Sequence, residues 1–131
     1  MCGIGGQARF DNDNVKRDLL KIIGDSLEHR GRDHVGYYLK KNVGLVHRRL
    51  SIIDVSPAGH QPMFTQDGKL GIVFNGEIFN YLELRQELKQ RGYFFETNSD
   101  TEVLLKSYQA FGLDFLKNLE GMFAFALLDL E

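Results

Sequence analysis

The 131-residue chain carries one cysteine, two prolines and no tryptophan. A single cysteine excludes an internal disulfide and fits a reducing, cytoplasmic setting. With so little proline there is no linker or low-complexity tract, and the length suits one compact domain better than two. No run approaches the ~20 apolar residues that span a bilayer, and the N-terminus lacks the basic and apolar regions of a signal peptide, so no membrane is expected as a partner. Charge of one sign is also missing: 16 Lys+Arg against 18 Asp+Glu give a net charge of -2. No basic cluster exceeds a stretch such as His47-Arg48-Arg49, so nucleic acid is not an expected partner. What remains, 43% hydrophobic and 26% charged residues, is the composition of a soluble globular domain acting on small molecules or other protein surfaces. The oligomeric state, a homodimer included, stays open.

The elements that are present read as α+β. "CGIGGQARF" has the alternation of a strand, with Gly3, Gly5 and Gly6 keeping side chains away from Cys2. Asn14 is placed to cap a helix whose apolar stripe runs through Val15, Leu19, Ile22, Ile23 and Leu27, with Gly31 beyond its end. Short strand-like stretches follow: "VGYYL", "VGLVHRRLSI", "QPMFT" and "KLGIVFN", the last two joined by a turn at Asp67-Gly68. Asn80 and Glu83 have capping-box spacing ahead of a second helix stopped by Gly92. Ser99 and Glu102 repeat that spacing before a third, with Asp100 in its first turn and Gly112 past its end. The closing run "GMFAFALLDLE" is continuously apolar, as in a strand buried on both faces, and its abrupt stop reads as an incomplete domain. This order predicts helices packed on sheets.

The sole thiol stands second in the chain. A free thiol is mostly protonated at neutral pH and needs a base to become a nucleophile. His29, His34, His47 and His60 lie in no local signature of a cysteine protease and read as structural or solvated. Position supplies another base: removing Met1 exposes an α-amino group on the same residue, with a pKa of about 7.7–8.0. That amine can take the thiol proton and return it to a leaving group. The plainer alternative is that Cys2 packs as a small hydrophobe. The histidines show no paired carboxylate or cysteine spacing, so no metal site is expected, and "GIGG" lacks the lysine and spacing of a phosphate-binding loop.

Other residues carry two readings each. Asn75-Gly76, flanked by apolar residues, is by itself a hairpin-turn signal. Arg49 reads as a surface cation, Asp100 as a partner of a helix dipole and Glu77 as a solvated charge.

Taken together, "MCGI", "HRGRDHVG" from His29, "HRRLSIID" from His47, "GHQPM" from Gly59, "FNGEIFNY" from Phe74, "SDTEVLL" from Ser99 and "LEGMFAFAL" from Leu119 closely resemble the glutaminase domain of asparagine synthetases. Those domains are class II glutamine amidotransferases of the N-terminal nucleophile hydrolase type. The resemblance runs end to end and implies a four-layer αββα sandwich, truncated at its C-terminal end, with the family's ATP-dependent synthetase domain outside residues 1–131. It makes Cys2 the nucleophile and gives the oxyanion hole to the Asn75 amide and the Gly76 N–H. Arg49 then clamps the glutamine α-carboxylate, Leu50 and Ile52 offer backbone groups and walls, and Asp100, supported by Glu77, receives the α-ammonium. The implied reaction is hydrolysis of glutamine to glutamate and ammonia through a cysteine thioester, without a cofactor in this domain; ATP and magnesium belong to the synthetase domain.

One departure is Arg32, giving "HRGRD" where the family typically has proline, which removes a fixed φ and adds a charge. Two alternatives stand beside this reading. One is a class II amidotransferase with another ammonia acceptor; the other is a non-catalytic glutamine-binding or assembly module that keeps the pocket without the chemistry.

Overall fold

The computed structural model describes residues 1–130. Its elements are β1 (Gly3–Ala8), α1 (Arg17–Ser26), β2 (His34–Lys40), β3 (Val43–Arg49), β4 (Met63–Phe64), β5 (Leu70–Ile78), α2 (Tyr81–Gln90), α3 (Asp100–Phe111) and β6 (Gly121–Asp129). They form two antiparallel three-stranded sheets, ordered β1-β3-β2 and β4-β5-β6. Helix α1 covers the first sheet, α3 packs on β5 with α2 beside it, and β1 and β3 face β5 across the interior. The layers are therefore helix, sheet, sheet, helix, as the resemblance implies.

Alternation along the strands assigns the faces. On β5, Ile72, Phe74 and Ile78 join Leu84, Leu88, Val103, Leu104, Leu105 and Phe115 in one core. The intervening Val73, Asn75 and Glu77 consequently turn toward the first sheet. Burying a side chain as fully as Leu88 or Leu104, both 0% exposed, is worth about 1.5–3 kcal/mol, which holds α2 and α3 on the sheet.

Several local expectations are corrected. Helix α1 begins at Arg17 after Lys16, without a side-chain cap from Asn14. Its buried side runs through Leu20 and Gly24, while Leu19 and Ile22 are exposed. Of the glycines of β1, Gly5 makes room for α1, where a Cβ would lie 2.5 Å from Ile23 Cγ2, and Gly6 makes room for β3, where one would lie 2.5 Å from the Gly44 carbonyl. Asn80 forms no capping box; its side chain instead accepts from Glu120 N–H and donates to the Asn118 carbonyl, tying the start of α2 to the entry of β6. In α3 half of the expected box forms. Ser99 accepts from Glu102 N–H, but the Glu102 carboxylate reaches back to the N–H groups of Glu96 and Thr97.

The Asn75-Gly76 turn signal is overridden, because both residues lie inside β5 and pair with Ala124 and Phe123 of β6. A turn needs local closure, and the long β6 ladder offers nine paired positions from Leu70 to Ile78 instead. The apolar run of β6 is not buried on both faces either. It lies at the end of its sheet, with Gly121–Ala124 exposed and Phe125–Leu128 half-buried. Among the described residues no helix is long and apolar enough to cross a membrane.

Candidate active site

A cavity of about 160 Å³ opens at the seam between the two sheets. It is lined by Cys2, Arg49, Leu50, Ile52, Asn75, Gly76, Glu77 and Asp100, all eight residues singled out above. Cys2 precedes β1, Arg49 ends β3, Asn75 to Glu77 come from β5, and Asp100 opens α3. No two of these segments are adjacent in the chain.

The thiol sits against the chain leaving β3. Leu50 N–H donates to Cys2 Sγ at 3.4 Å, and the Leu50 carbonyl lies 3.6 Å from the same sulfur. Arg30 Nε donates to the Cys2 carbonyl at 2.9 Å, fixing the first residues from the other side. Met1 precedes Cys2 and lines the cavity mouth, 67% exposed. Leu50 thus meets the thiol through its backbone, while the Ile52 side chain is largely exposed and forms an outer wall.

Arg49 is 5% exposed and anchored by backbone: Nη1 donates to Ser56 O at 2.7 Å and Nη2 to Asp54 O. A guanidinium has five N–H donors, so these two leave others for a ligand. Gly59 makes room for it, since a Cβ there would fall 2.3 Å from Arg49 Nη2. The surface-cation reading of Arg49 is thereby overturned.

Strand alternation also aims the backbone. Phe74 N–H goes to Gln61 Oε1 at 2.6 Å, Ile78 N–H goes to Asp100 Oδ2 at 3.2 Å, and Phe79 N–H goes the opposite way, to Glu120. Even-numbered N–H groups of β5 therefore point away from β6, and Gly76 N–H, between the two clamped ones, points to the cavity side. Gly76 has φ 146°, and a Cβ would lie 2.1 Å from the Met122 carbonyl. Only glycine meets both demands. The Asn75 side-chain oxygen is buried without a hydrogen-bond partner among the described residues, leaving this amide's capacity unmet beside the cavity.

Asp100 is 5% exposed at the start of α3. Burial pushes its carboxyl above the usual value of 3.8, opposed by N–H groups of Ile78 and Thr101 and assisted by the nearby Glu77 charge. Two carboxyls and a guanidinium lining one cavity suit a zwitterion. Arg32 is exposed. The loop it occupies is held without proline, by Asp33 N–H donating to Arg49 O and Asp33 Oδ2 accepting from Ser51 N–H.

Sequence reasoning missed the carbonyls of Asp54 and Ser56, which have no side-chain signal. It also gave no role to Gly59 and Gln61, although both lie in the quoted "GHQPM". Gln61, 6% exposed, bridges Phe74 N–H and Thr101 Oγ1.

The comparisons with known proteins follow this geometry. The profile of a family described as the glutamine amidotransferase domain matches residues 1–131. Asparagine synthetase [glutamine-hydrolyzing] 1 of Bacillus subtilis is 47% identical over 112 residues, covering 86% of this chain and 18% of the relative. Asparagine synthetase B [glutamine-hydrolyzing] of Escherichia coli is 45% identical over 137 residues, covering 100% of this chain and 24% of the relative. The chain thus spans about a fifth to a quarter of the length of these relatives. Among solved structures, the glutamine phosphoribosylpyrophosphate amidotransferase of B. subtilis superimposes with a TM-score of 0.80 at 23% identity, over 98% of this chain and 35% of that one. Its likeness bears on the fold alone. On the full-length profile match and the close relatives, this chain belongs to the glutamine amidotransferase domain family.

Proposed function

We propose that the chain hydrolyses glutamine to glutamate and ammonia through Cys2. The observation that carries this reading is the convergence, in one cavity, of the thiol at Leu50 N–H, the Asn75-Gly76 pair on β5, Arg49, and Asp100 with Glu77. Arg49 takes the substrate α-carboxylate and Asp100 with Glu77 its α-ammonium, leaving the side-chain amide toward Cys2. Once Met1 is removed, the Cys2 α-amine accepts the thiol proton and the sulfur attacks the amide carbon. The oxygen of the tetrahedral intermediate is held by Asn75 and Gly76, each donor worth about 2.7–4 kcal/mol. The C–N bond breaks, the amine's proton leaves with ammonia, and a water then cleaves the thioester to give glutamate and the free thiol.

In this proposal the chain is one part of a longer cytoplasmic enzyme whose ATP- and magnesium-dependent synthetase segment amidates aspartate to asparagine. The names of the relatives and the share of their length that the chain covers support it. Another ammonia acceptor is the alternative for that segment. The test is glutamine-dependent ammonia release by the full-length protein with its N-terminal mass determined. Activity with Met1 absent and none in Cys2→Ala is expected. A protein with Met1 removed that neither releases ammonia nor is labelled at Cys2 by a glutamine-mimicking electrophile overturns the reading in favour of a binding module.

A further inference from the structure

The second sheet has a gap beside the Asn75-Gly76 pair. Strand β4 is two residues long and pairs only with Gly71 and Ile72 of β5. Beyond it, at Phe74, β5 has an inward edge without a ladder partner, and Phe74 is 3% exposed, so water does not fill that role. Two buried side chains do. Gln61 Oε1 takes Phe74 N–H at 2.6 Å, and His47 Nε2 lies 3.1 Å from Phe74 O. His47 stands on β3 of the opposite sheet and is 0% exposed, so its hydrogen bond crosses the interior from sheet to sheet.

We propose that His47 is a positioning residue for the oxyanion hole: by donating from Nε2 to the Phe74 carbonyl it fixes the peptide plane that leads into Asn75 and Gly76. The inference rests on the glutaminase reading and deepens it.

The chemistry of the contact sets its direction. A carbonyl only accepts, so Nε2 carries the proton and Nδ1 is a bare lone pair, buried without a partner among the described residues. Burial, opposed by the Phe74 carbonyl and assisted by Arg49, His34 and His60, pushes the imidazole pKa down to about 4. The ring is then neutral, with its one proton committed to Phe74, at any pH where glutamine would be hydrolysed. The Phe74 carbonyl belongs to the peptide unit whose nitrogen is Asn75 N, and the next unit carries Gly76 N–H. With Asp100 holding Ile78 N–H further on, the segment with the oxyanion donors is clamped at both ends, by a neutral imidazole before it and a carboxylate after it. Without the His47 donor, the buried Phe74 carbonyl is left to rotate toward another partner and carries the Asn75 peptide with it.

The test compares His47→Leu, which removes the donor at similar volume, with His47→Gln, whose amide N–H can reach the same carbonyl. Both are made in the full-length protein, beside the wild type. Glutamine kinetics are measured with the affinity for glutamate and for the aldehyde analogue of glutamine, whose thiohemiacetal oxygen occupies the oxyanion hole. His47→Leu is expected to lower kcat about 10–100-fold, short of the loss of a whole oxyanion donor, with KM changed less than about twofold because Arg49 and Asp100 stay in place. Affinity for the aldehyde falls with kcat/KM while that for glutamate does not, and His47→Gln recovers most of both. An unchanged kcat, or equal weakening of aldehyde and glutamate, overturns the inference. If His47→Leu does not fold, His47→Gln is set against the shorter His47→Asn, and equal kcat values for the two overturn it. A wild type with Met1 removed that releases no ammonia overturns the glutaminase reading itself, and so separates the two failures.

Discussion

Asp100 shows most clearly how a single residue is set against its own stability. Its carboxyl is buried at the start of α3 and its pKa raised, chiefly by that burial. A group bound more tightly to its proton in the folded state contributes stability that is full below its unfolded value, 3.8, and lost as pH rises through the folded one. At neutral pH the ionised Asp100 is therefore a cost to folding. Asp100→Asn keeps an acceptor for Ile78 N–H but removes the charge. It is expected to unfold at the same or higher denaturant concentration at pH 7 while raising KM for glutamine; lower stability with unchanged KM would reverse the argument. Arg49→Lys loses the planar fork, and a charged hydrogen bond of about 1.5–3 kcal/mol corresponds to roughly a 10–100-fold rise in KM. At this scale the sequence was informative where chemistry needs a particular side chain at a particular place, as with Cys2 behind Met1. It offered His47 only as structural or solvated and gave Gln61 no role, because their contacts to Phe74 fill a missing stretch of ladder that no residue type signals.

Elements translate those residues into geometry. Strand β5 holds the Asn75-Gly76 pair because Gly76 alone tolerates φ 146° against the Met122 carbonyl of β6. Gly76→Ala is expected to cost about 1–3 kcal/mol in strain and to abolish ammonia release, which chemical unfolding and an ammonia assay check together. Helix α3 begins where Ser99 accepts from Glu102 N–H. Ser99→Ala is expected to cost about 1 kcal/mol of stability, as other helix caps do, and to raise KM through Asp100 in the adjoining turn; a stability loss with KM unchanged would show that cap and site are uncoupled. The cap of α3 was legible from the Ser99-Glu102 spacing, whereas the same spacing at Asn80 and Glu83 gave no cap, because Asn80 is engaged by Asn118 and Glu120. Similarly, the apolar run of β6 announced a strand but not which faces it buries, since a run without alternation does not encode them.

The whole molecule places the site at a seam. Cys2, Arg49 and Leu50 belong to the first sheet and the chain around it, while Asn75, Gly76, Glu77 and Asp100 belong to the second sheet and α3. The motifs were readable one by one, and the resemblance supplied their common purpose. Their meeting depends on the stacking of sheets, which pairing between distant segments decides. On the glutaminase reading, a ligand held by both Arg49 and Asp100 is bound by both halves and released when either opens. Glutamate at 100 times its Kd should therefore slow hydrogen exchange by up to about 100-fold, for amides exposed by any opening that releases the ligand. The protection is expected in β1 and β3 together with β5 and α3, and Arg49→Lys, binding about 10–100-fold more weakly, should cut it to about 2–11-fold at that glutamate concentration in both sheets. Protection confined to one sheet would mean that glutamate touches one half only, and that Arg49 and Asp100 do not share a single substrate.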